Sequence, residues 1–309
     1  MKILCFNHHP DVLHYAWRAF TELGHDVHLA TEDLHKRVGF KYTSTKKQED
    51  GNQYFEVVDR LILPHVLFRD MEQEKIHWAD EKRDIKAYDL VWAMLPEITS
   101  LRNYGVETWY DCQMQGTLRN GQIQALPGIK TCNHPDAEDF NFRWMPNWTA
   151  QQPDLIEPRY VTQLITEMHN VDTTGEMLKL RANSPDIYKI YGGEKCPDGF
   201  IRDINILPYT ALLVHNKDFG CNCYAVCKAL DMGIPVYMSR KTKERIGFGD
   251  LPDWLFHFKE ESTIEEAYGL AVDQHAHGEG ADIQETYRSI YTLERTVAAA
   301  KEILDGVFV

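Results

Sequence analysis

The first thirty-one residues commit this chain to a β-α-β opening. Met1 to Phe6 is an apolar run that ends in the turn-prone NHHPD, and Val12, Leu13, Tyr15, Ala16, Ala19, Phe20 and Leu23 follow at helical spacing. Gly24 stops that pattern, and Val27 to Thr31 reads as a second strand. Strand, helix and strand in this order give a parallel pair joined by a crossover. Further apolar runs at Leu90–Met94, Glu107–Tyr110 and Ile129–Cys132 leave room for more crossovers, so the expectation is α/β with a doubly wound, largely parallel sheet. The polar stretch from Lys36 to Asn52 reads as a solvated loop, with a substrate-facing loop as the alternative.

The alternation breaks and restarts. Residues 146–158, PNWTAQQPDLIEP, carry Pro146, Pro153 and Pro158 and little periodicity, which is the pattern of a linker. Beyond it come a strand at Tyr160–Ile165, a helix near Thr174–Ala182 and a strand at Ile187–Tyr191 ending in Gly192-Gly193. A strand at Ala211–His215, a helix over Asn222–Met232 and a strand at Ile234–Ser239 follow. The tail from Asp282 to Leu304 reads as one long amphipathic helix able to pack back across both domains. With 309 residues, two cores of ordinary size are expected. The division falls at 1–148, a linker at 149–158, a second domain at 159–282 and a terminal helix at 283–309. Two such domains would face each other across a cleft at the carboxyl ends of their strands.

Composition narrows the function. Lys+Arg is 33 and Asp+Glu is 47, a net charge of −14, which excludes a uniformly basic shell for nucleic acid but leaves room for a local basic patch. Seven cysteines scattered from Cys5 to Cys227 fit reduced thiols in a cytoplasmic protein. No stretch approaches the roughly 20 apolar residues of a membrane span, and the opening apolar run is too short for a signal-peptide core. There is no G-x-x-x-x-G-K-[ST] loop and no G-x-G-x-x-G after the first strand; His8 and His9 stand there instead. Cys221, Cys223 and Cys227 lack the paired second half of a zinc site, and His275 and His277 read as loop residues, so no metal is expected.

The segment YTALLVHNKDFGCNCYAVCKALDMGIPVYMSRKTKERIG (209 to 247) resembles the carboxyl-domain signature of GT-B glycosyltransferases. IYKIYGG (187 to 193) matches the strand and glycine pair before it, and ELGHDVHLAT (22 to 31) is similar to the helix end and second strand of the same fold. Within that group, YDCQMQGTLRN (110 to 120) and NHPDAEDFN (133 to 141) resemble the DNA α-glucosyltransferases of T-even phages, which modify 5-hydroxymethylcytosine from a UDP-sugar.

The resemblance implies two Rossmann-like domains facing a cleft, an amino-terminal acceptor domain and a carboxyl-terminal nucleotide-sugar domain, with the last helix packed on the first. It implies a retaining, metal-independent transferase without a cofactor, its partners being a nucleotide-sugar and double-stranded DNA with modified bases, in the cytoplasm of a phage host. Asp111 takes the place of the active-site aspartate facing the cleft, flanked by His134 and Asp136; each also reads as a capping or turn residue. His8, His9, Arg119 and Arg143 are the acceptor-side candidates. Arg102 and Lys130 would extend a basic groove, and Trp144 and Trp148 would stack on an extruded base or simply fill the core.

Donor-side candidates are Gly192, Gly193, His215, Asn216, Asn222, Lys228 and Arg240, with Lys241 and Lys243 nearby. Here the sequence departs from the family. Lys228 replaces the ribose-binding glutamate, Gly220 stands eight residues earlier where an acid belongs, and Asp218 is two residues further back. A lysine accepts no hydrogen bond from ribose but meets a diphosphate as a point charge. The phosphate-clamping arginine and lysine are replaced by Gln163 and His169. Three readings follow: a transferase acting on modified DNA, one acting on a small molecule, lipid or polysaccharide, or an inactive binding module.

Overall fold

The computed structural model describes residues 1–6, 10–31, 70–78, 84–94, 106–112, 121–146, 148–149, 152, 154–164, 175–191, 197–198, 204–216 and 223–307. The chain divides into two compact units, Met1–Ala150 with Thr292–Val309, and Gln151–Tyr291. The loop expected at 36–52 lies outside the described residues.

The first unit begins with β1 (Lys2–Phe6), α1 (Pro10–Glu22) and β2 (Asp26–Thr31). Pro10 opens α1, where its missing N–H costs nothing. At the other end the N–H of Gly24 donates to Thr21 and that of His25 to Phe20, a Schellman closure that needs Gly24 at φ +78°. Then come β3 (Ile76–Trp78), β4 (Leu90–Met94), β5 (Glu107–Cys112), α2 (Gly121–Gln124), β6 (Ile129–Cys132) and β7 (Arg143–Trp144). All seven strands pair in parallel in the order β3-β2-β1-β4-β5-β6-β7. α1 lies on this sheet, with Tyr15 edge-on to Trp92 at 5.9 Å and Phe20 edge-on to Trp109 at 5.3 Å.

The second unit contains β8 (Tyr160–Leu164), α3 (Gly175–Asn183), β9 (Tyr188–Tyr191), β10 (Thr210–Val214), α4 (Tyr224–Asp231) and β11 (Val236–Met238). It continues through α5 (Arg240–Arg245), β12 (Phe256–Phe258), α6 (Ile264–Ala276) and α7 (Gly280–Ile290). Its five strands are also parallel, in the order β12-β11-β10-β8-β9. Leu213, Val226, Leu230, Ile283 and Tyr287 build one core, and Val161, Ile190, Val214, Ala267 and Ala271 build another. Alternate residues of β10 enter different cores, as expected of a strand covered on both faces. Asp231 ties α4 to its surroundings: one carboxylate oxygen accepts from Arg288 Nε of α7 at 2.7 Å, the other from the backbone N–H of Gln152 at 3.0 Å.

Two expectations are corrected. The tail is not one helix over 282–304, because Thr292 adopts extended backbone (φ −113°, ψ 155°) and caps a new helix, α8 (Leu293–Asp305), through the N–H of Arg295. α8 belongs to the first unit and packs on α1, and Thr296 of α8 donates to the carbonyl of Pro146. His275 and His277 are not loop residues. His275 sits in the last turn of α6 with its Nε2 2.9 Å from the carbonyl oxygen of Ala211, and His277 caps that helix.

Candidate functional site

Strand order picks out one place in the second unit. From β8 the chain moves outward to β9 on one side and then returns to β10 on the other, so the switch in direction lies between β8 and β10. In open parallel sheets the carboxyl ends of the strands flanking such a switch border the ligand crevice. Gln163 stands near the end of β8, aligned with Val214, the last residue of β10; His215 follows directly. Both side chains are buried, Gln163 at 2% exposure and His215 at 5%, and neither Oε1 of Gln163 nor Nε2 of His215 has a hydrogen-bond partner among the described residues. Buried polar atoms are nearly always satisfied. Strand order puts the crevice at the switch point, and two such atoms border it, as others do elsewhere (Trp92 Nε1, Thr149 Oγ1), so the switch point is the candidate site.

The amino end of α4 lies beyond β10. Its N-cap residue Cys223 places no side-chain bond on the first-turn N–H groups. Such groups, with the helix dipole, favour an anion. Asn216 is half-buried. Lys228 is buried in the last turn of α4 rather than at its start. Arg240, Lys241 and Lys243 belong to α5, capped by Ser239, and not to a loop. Arg240 is committed to Asp253 and Glu261 and lies over the Phe258 ring at 3.9 Å. Lys243 donates to Asp253 at 2.6 Å and to the Leu251 carbonyl. Hydrogen bonds from Lys243 and Arg240 hold the Asp253 carboxyl below its ordinary range. Arg240 and Lys243 thus already have carboxylate partners, and their place in a helix corrects the reading of a solvated loop after the strand. Gly192, Gly193, His169 and Asn222 lie outside the described residues.

In the first unit the structure revises Asp111. It is fully buried beneath α1, accepting from the Tyr15 hydroxyl at 2.7 Å and from Thr131 at 2.9 Å, while Trp109 donates to Thr131 at 2.7 Å. The side chain therefore faces the helix layer instead of solvent. His134 is the N-cap of the 3-10 turn Pro135–Phe140: its Nδ1 accepts from the Asp136 N–H at 3.1 Å, and the Asp136 carboxylate is half-exposed. Arg143 is exposed at the start of β7. Lys130 donates to the Leu126 carbonyl, and Trp148 stacks on His14 at 5.3 Å, so neither projects from a groove. His8, His9, Arg102 and Arg119 lie outside the described residues.

The sequence marks Gln163 only as standing in place of a phosphate-clamping cation; its position beside the end of β10 follows from the strand order. Among the described residues no group of three or more His, Cys, Asp or Glu is placed to hold a metal ion. No described helix is long and apolar enough to cross a membrane.

No protein-family model and no curated protein matches this sequence. Among solved structures, sucrose-phosphate synthase from Thermosynechococcus elongatus aligns over 100% of this chain and 99% of its own, with TM-score 0.56 and 11% identity. UDP-GlcNAc 2-epimerase from Neisseria meningitidis, bound to UDP-GlcNAc, aligns over 99% and 100%, with TM-score 0.51 and 10% identity. A variant of S. aureus TarM in complex with fondaparinux, alpha-GlcNAc-glycerol and UDP aligns over 70% of this chain and 55% of its own, with TM-score 0.53 and 11% identity. This chain thus spans about half the length of TarM. The likenesses define the class: two parallel-sheet Rossmann-like units in the GT-B fold. A synthase and an epimerase share that fold, so the reaction must be argued from the site.

Proposed function

We propose that this protein is a glycosyltransferase that binds a nucleotide-sugar, with UDP-sugars the first choice, at the β8/β10 switch point of its second unit and transfers the sugar to a hydroxyl acceptor. The observation that carries this reading is the buried Nε2 of His215 at the carboxyl edge of β10, which has no partner among the described residues. A nucleotide-sugar offers the hydroxyls and phosphoryl oxygens such an imidazole nitrogen can pair with. The amino end of α4, where the Cys223 side chain makes no cap bond, offers further N–H groups to a diphosphate. Retention of configuration and independence of metal are carried over from the resemblance. Asp111, held by Tyr15 and Thr131, is assigned to positioning β5 rather than to contact with the acceptor.

The finer proposal for the acceptor is a 5-hydroxymethylpyrimidine in DNA, carried by the resemblance of residues 110–120 and 133–141. A small-molecule, lipid or polysaccharide acceptor is favoured by different observations: the net charge of −14 and the engagement of Trp148 with His14. The inactive binding module stays as the third reading, supported by Lys228 in place of the family's glutamate.

Thermal unfolding with a panel of nucleotide-sugars tests donor binding; a ligand at 100 times its Kd stabilises by about 2.7 kcal/mol. Labelled sugar offered with hydroxymethylated DNA, unmodified DNA and free glycans then sorts the acceptors. A protein that no nucleotide-sugar stabilises would end the donor reading. Donor binding without transfer or hydrolysis would leave the binding module.

A further inference from the structure

We infer that Gln163 reads the bound donor through its side-chain oxygen, accepting from a hydroxyl or N–H of the ligand and not facing a phosphoryl oxygen. The inference rests on the nucleotide-sugar reading above and narrows it, since it states which part of the ligand lodges at the end of β8.

β8 is an interior strand, flanked by β9 and β10. The residues beside Gln163 in the ladder are Ile190 and Val214, and Val161 precedes it on the same face by the two-residue alternation of a strand. All three are apolar, at most 1% exposed and part of one core. An apolar side chain would suit this position. Gln163 instead buries an amide oxygen that no described residue donates to, which costs free energy until a donor is supplied. Other buried polar side chains of the sheet are satisfied: Thr162 and Thr210, both fully buried, bond to each other at 2.8 Å, and the Tyr237 hydroxyl donates to the Ser262 carbonyl at 2.9 Å. The exception falls at the switch point, where a ligand would supply the missing donor.

The chemistry of the amide sets the class of contact. Its oxygen accepts and does not donate, and phosphoryl oxygens of a diphosphate are acceptors as well. Two acceptors facing each other repel, so the ligand atom opposite Gln163 carries a proton. A hydroxyl of ribose or of the transferred sugar, or an N–H of the base, meets that requirement. The neutral side chain also brings none of the positive charge that a phosphate clamp uses.

Calorimetric titration of the full chain with UDP, ADP and GDP, their glucose and N-acetylglucosamine esters, and inorganic pyrophosphate tests this. Gln163→Met, close in volume and with only a weakly accepting thioether in place of the amide oxygen, is expected to weaken the tightest nucleotide-sugar about tenfold and to leave pyrophosphate affinity unchanged. Gln163→Glu is expected to stay within about threefold of the parent, because it still accepts, whereas Gln163→Lys weakens binding as Met does. Should the charged variants melt too early to assay, the comparison of nucleotide-sugar with pyrophosphate in the Met variant decides. Unchanged nucleotide-sugar affinity in Gln163→Met, equal loss of pyrophosphate affinity, or tighter binding by Gln163→Lys would overturn the inference while leaving the donor reading intact. A parent protein that binds no member of the panel would overturn both.

Discussion

The hydroxyl of Tyr15 on α1 donates to the carboxylate of Asp111 on β5 at 2.7 Å, inside the first unit and across 96 residues of sequence. With Thr131 on the other oxygen, this places a carboxylate where α1, β5 and β6 meet. Tyr15→Phe removes one hydrogen bond to a buried acid and is expected to cost about 1.5–3 kcal/mol. Asp111→Ala takes this acceptor from two buried hydroxyl donors and is expected to cost at least as much. Denaturant titration of both variants measures the losses, and a donor affinity within twofold of the parent in Tyr15→Phe would separate this network from the donor site.

Two glycines with the same backbone angle predict very different costs. Gly24 and Gly233 both have φ +78°. A methyl group on Gly24 meets nothing within 4 Å, while one on Gly233 would sit 2.3 Å from the carbonyl oxygen of Gly280. Gly24→Ala should therefore cost only the left-handed backbone term, about 1–2 kcal/mol. Gly233→Ala adds a clash with rigid backbone at the start of α7 and should cost about 3 kcal/mol or more. Equal melting temperatures for the two variants would contradict this.

These two cases also show what local sequence can reveal. Gly24 as a helix stop is readable because the closure involves only Phe20 to His25, and the parallel β-α-β units are readable because their apolar runs are long enough to show a period. β3, β7 and β12 are two or three residues long and carry no period at all. The break at Thr292 was hidden because apolar spacing continues through Tyr291 into α8; the hydroxyl cap decides it. The orientation of Asp111 depends on α1 lying over β5, a tertiary fact. The site itself arises from strand order, which brings Gln163 beside the end of β10, 51 positions on at Val214, and no motif spans that gap.

Acid should weaken the second unit through its buried imidazoles. Burial pushes His257 and His275 below their ordinary value of 6.5, against the opposing effect of hydrogen bonds to Gln274 and to the Ala211 carbonyl. The folded chain then resists protonation that the unfolded chain accepts, so these groups' contribution is full above 6.5 and is lost as pH falls through their lowered folded values. The denaturation midpoint is expected to drop between about pH 7 and about pH 5, the range in which histidine changes charge. His275→Gln should make that decline shallower. An identical slope in the variant would remove His275 from the effect.

The same bookkeeping of unsatisfied groups predicts that the site trades stability for binding. His215 holds a buried nitrogen without a partner among the described residues, a cost that the fold carries. Replacing it with an apolar side chain removes the cost, although branched leucine does not reproduce the shape of the flat imidazole and gives part of it back as poorer packing. His215→Leu is therefore expected to lie between neutral and about 1 kcal/mol more stable than the parent without ligand. It should also lose most of the stabilisation that a nucleotide-sugar confers. Paired melting curves with and without donor measure both effects in one experiment. A purely structural histidine gives the opposite pattern, a lower melting temperature and an undiminished ligand shift, because its removal would break packing without touching the donor.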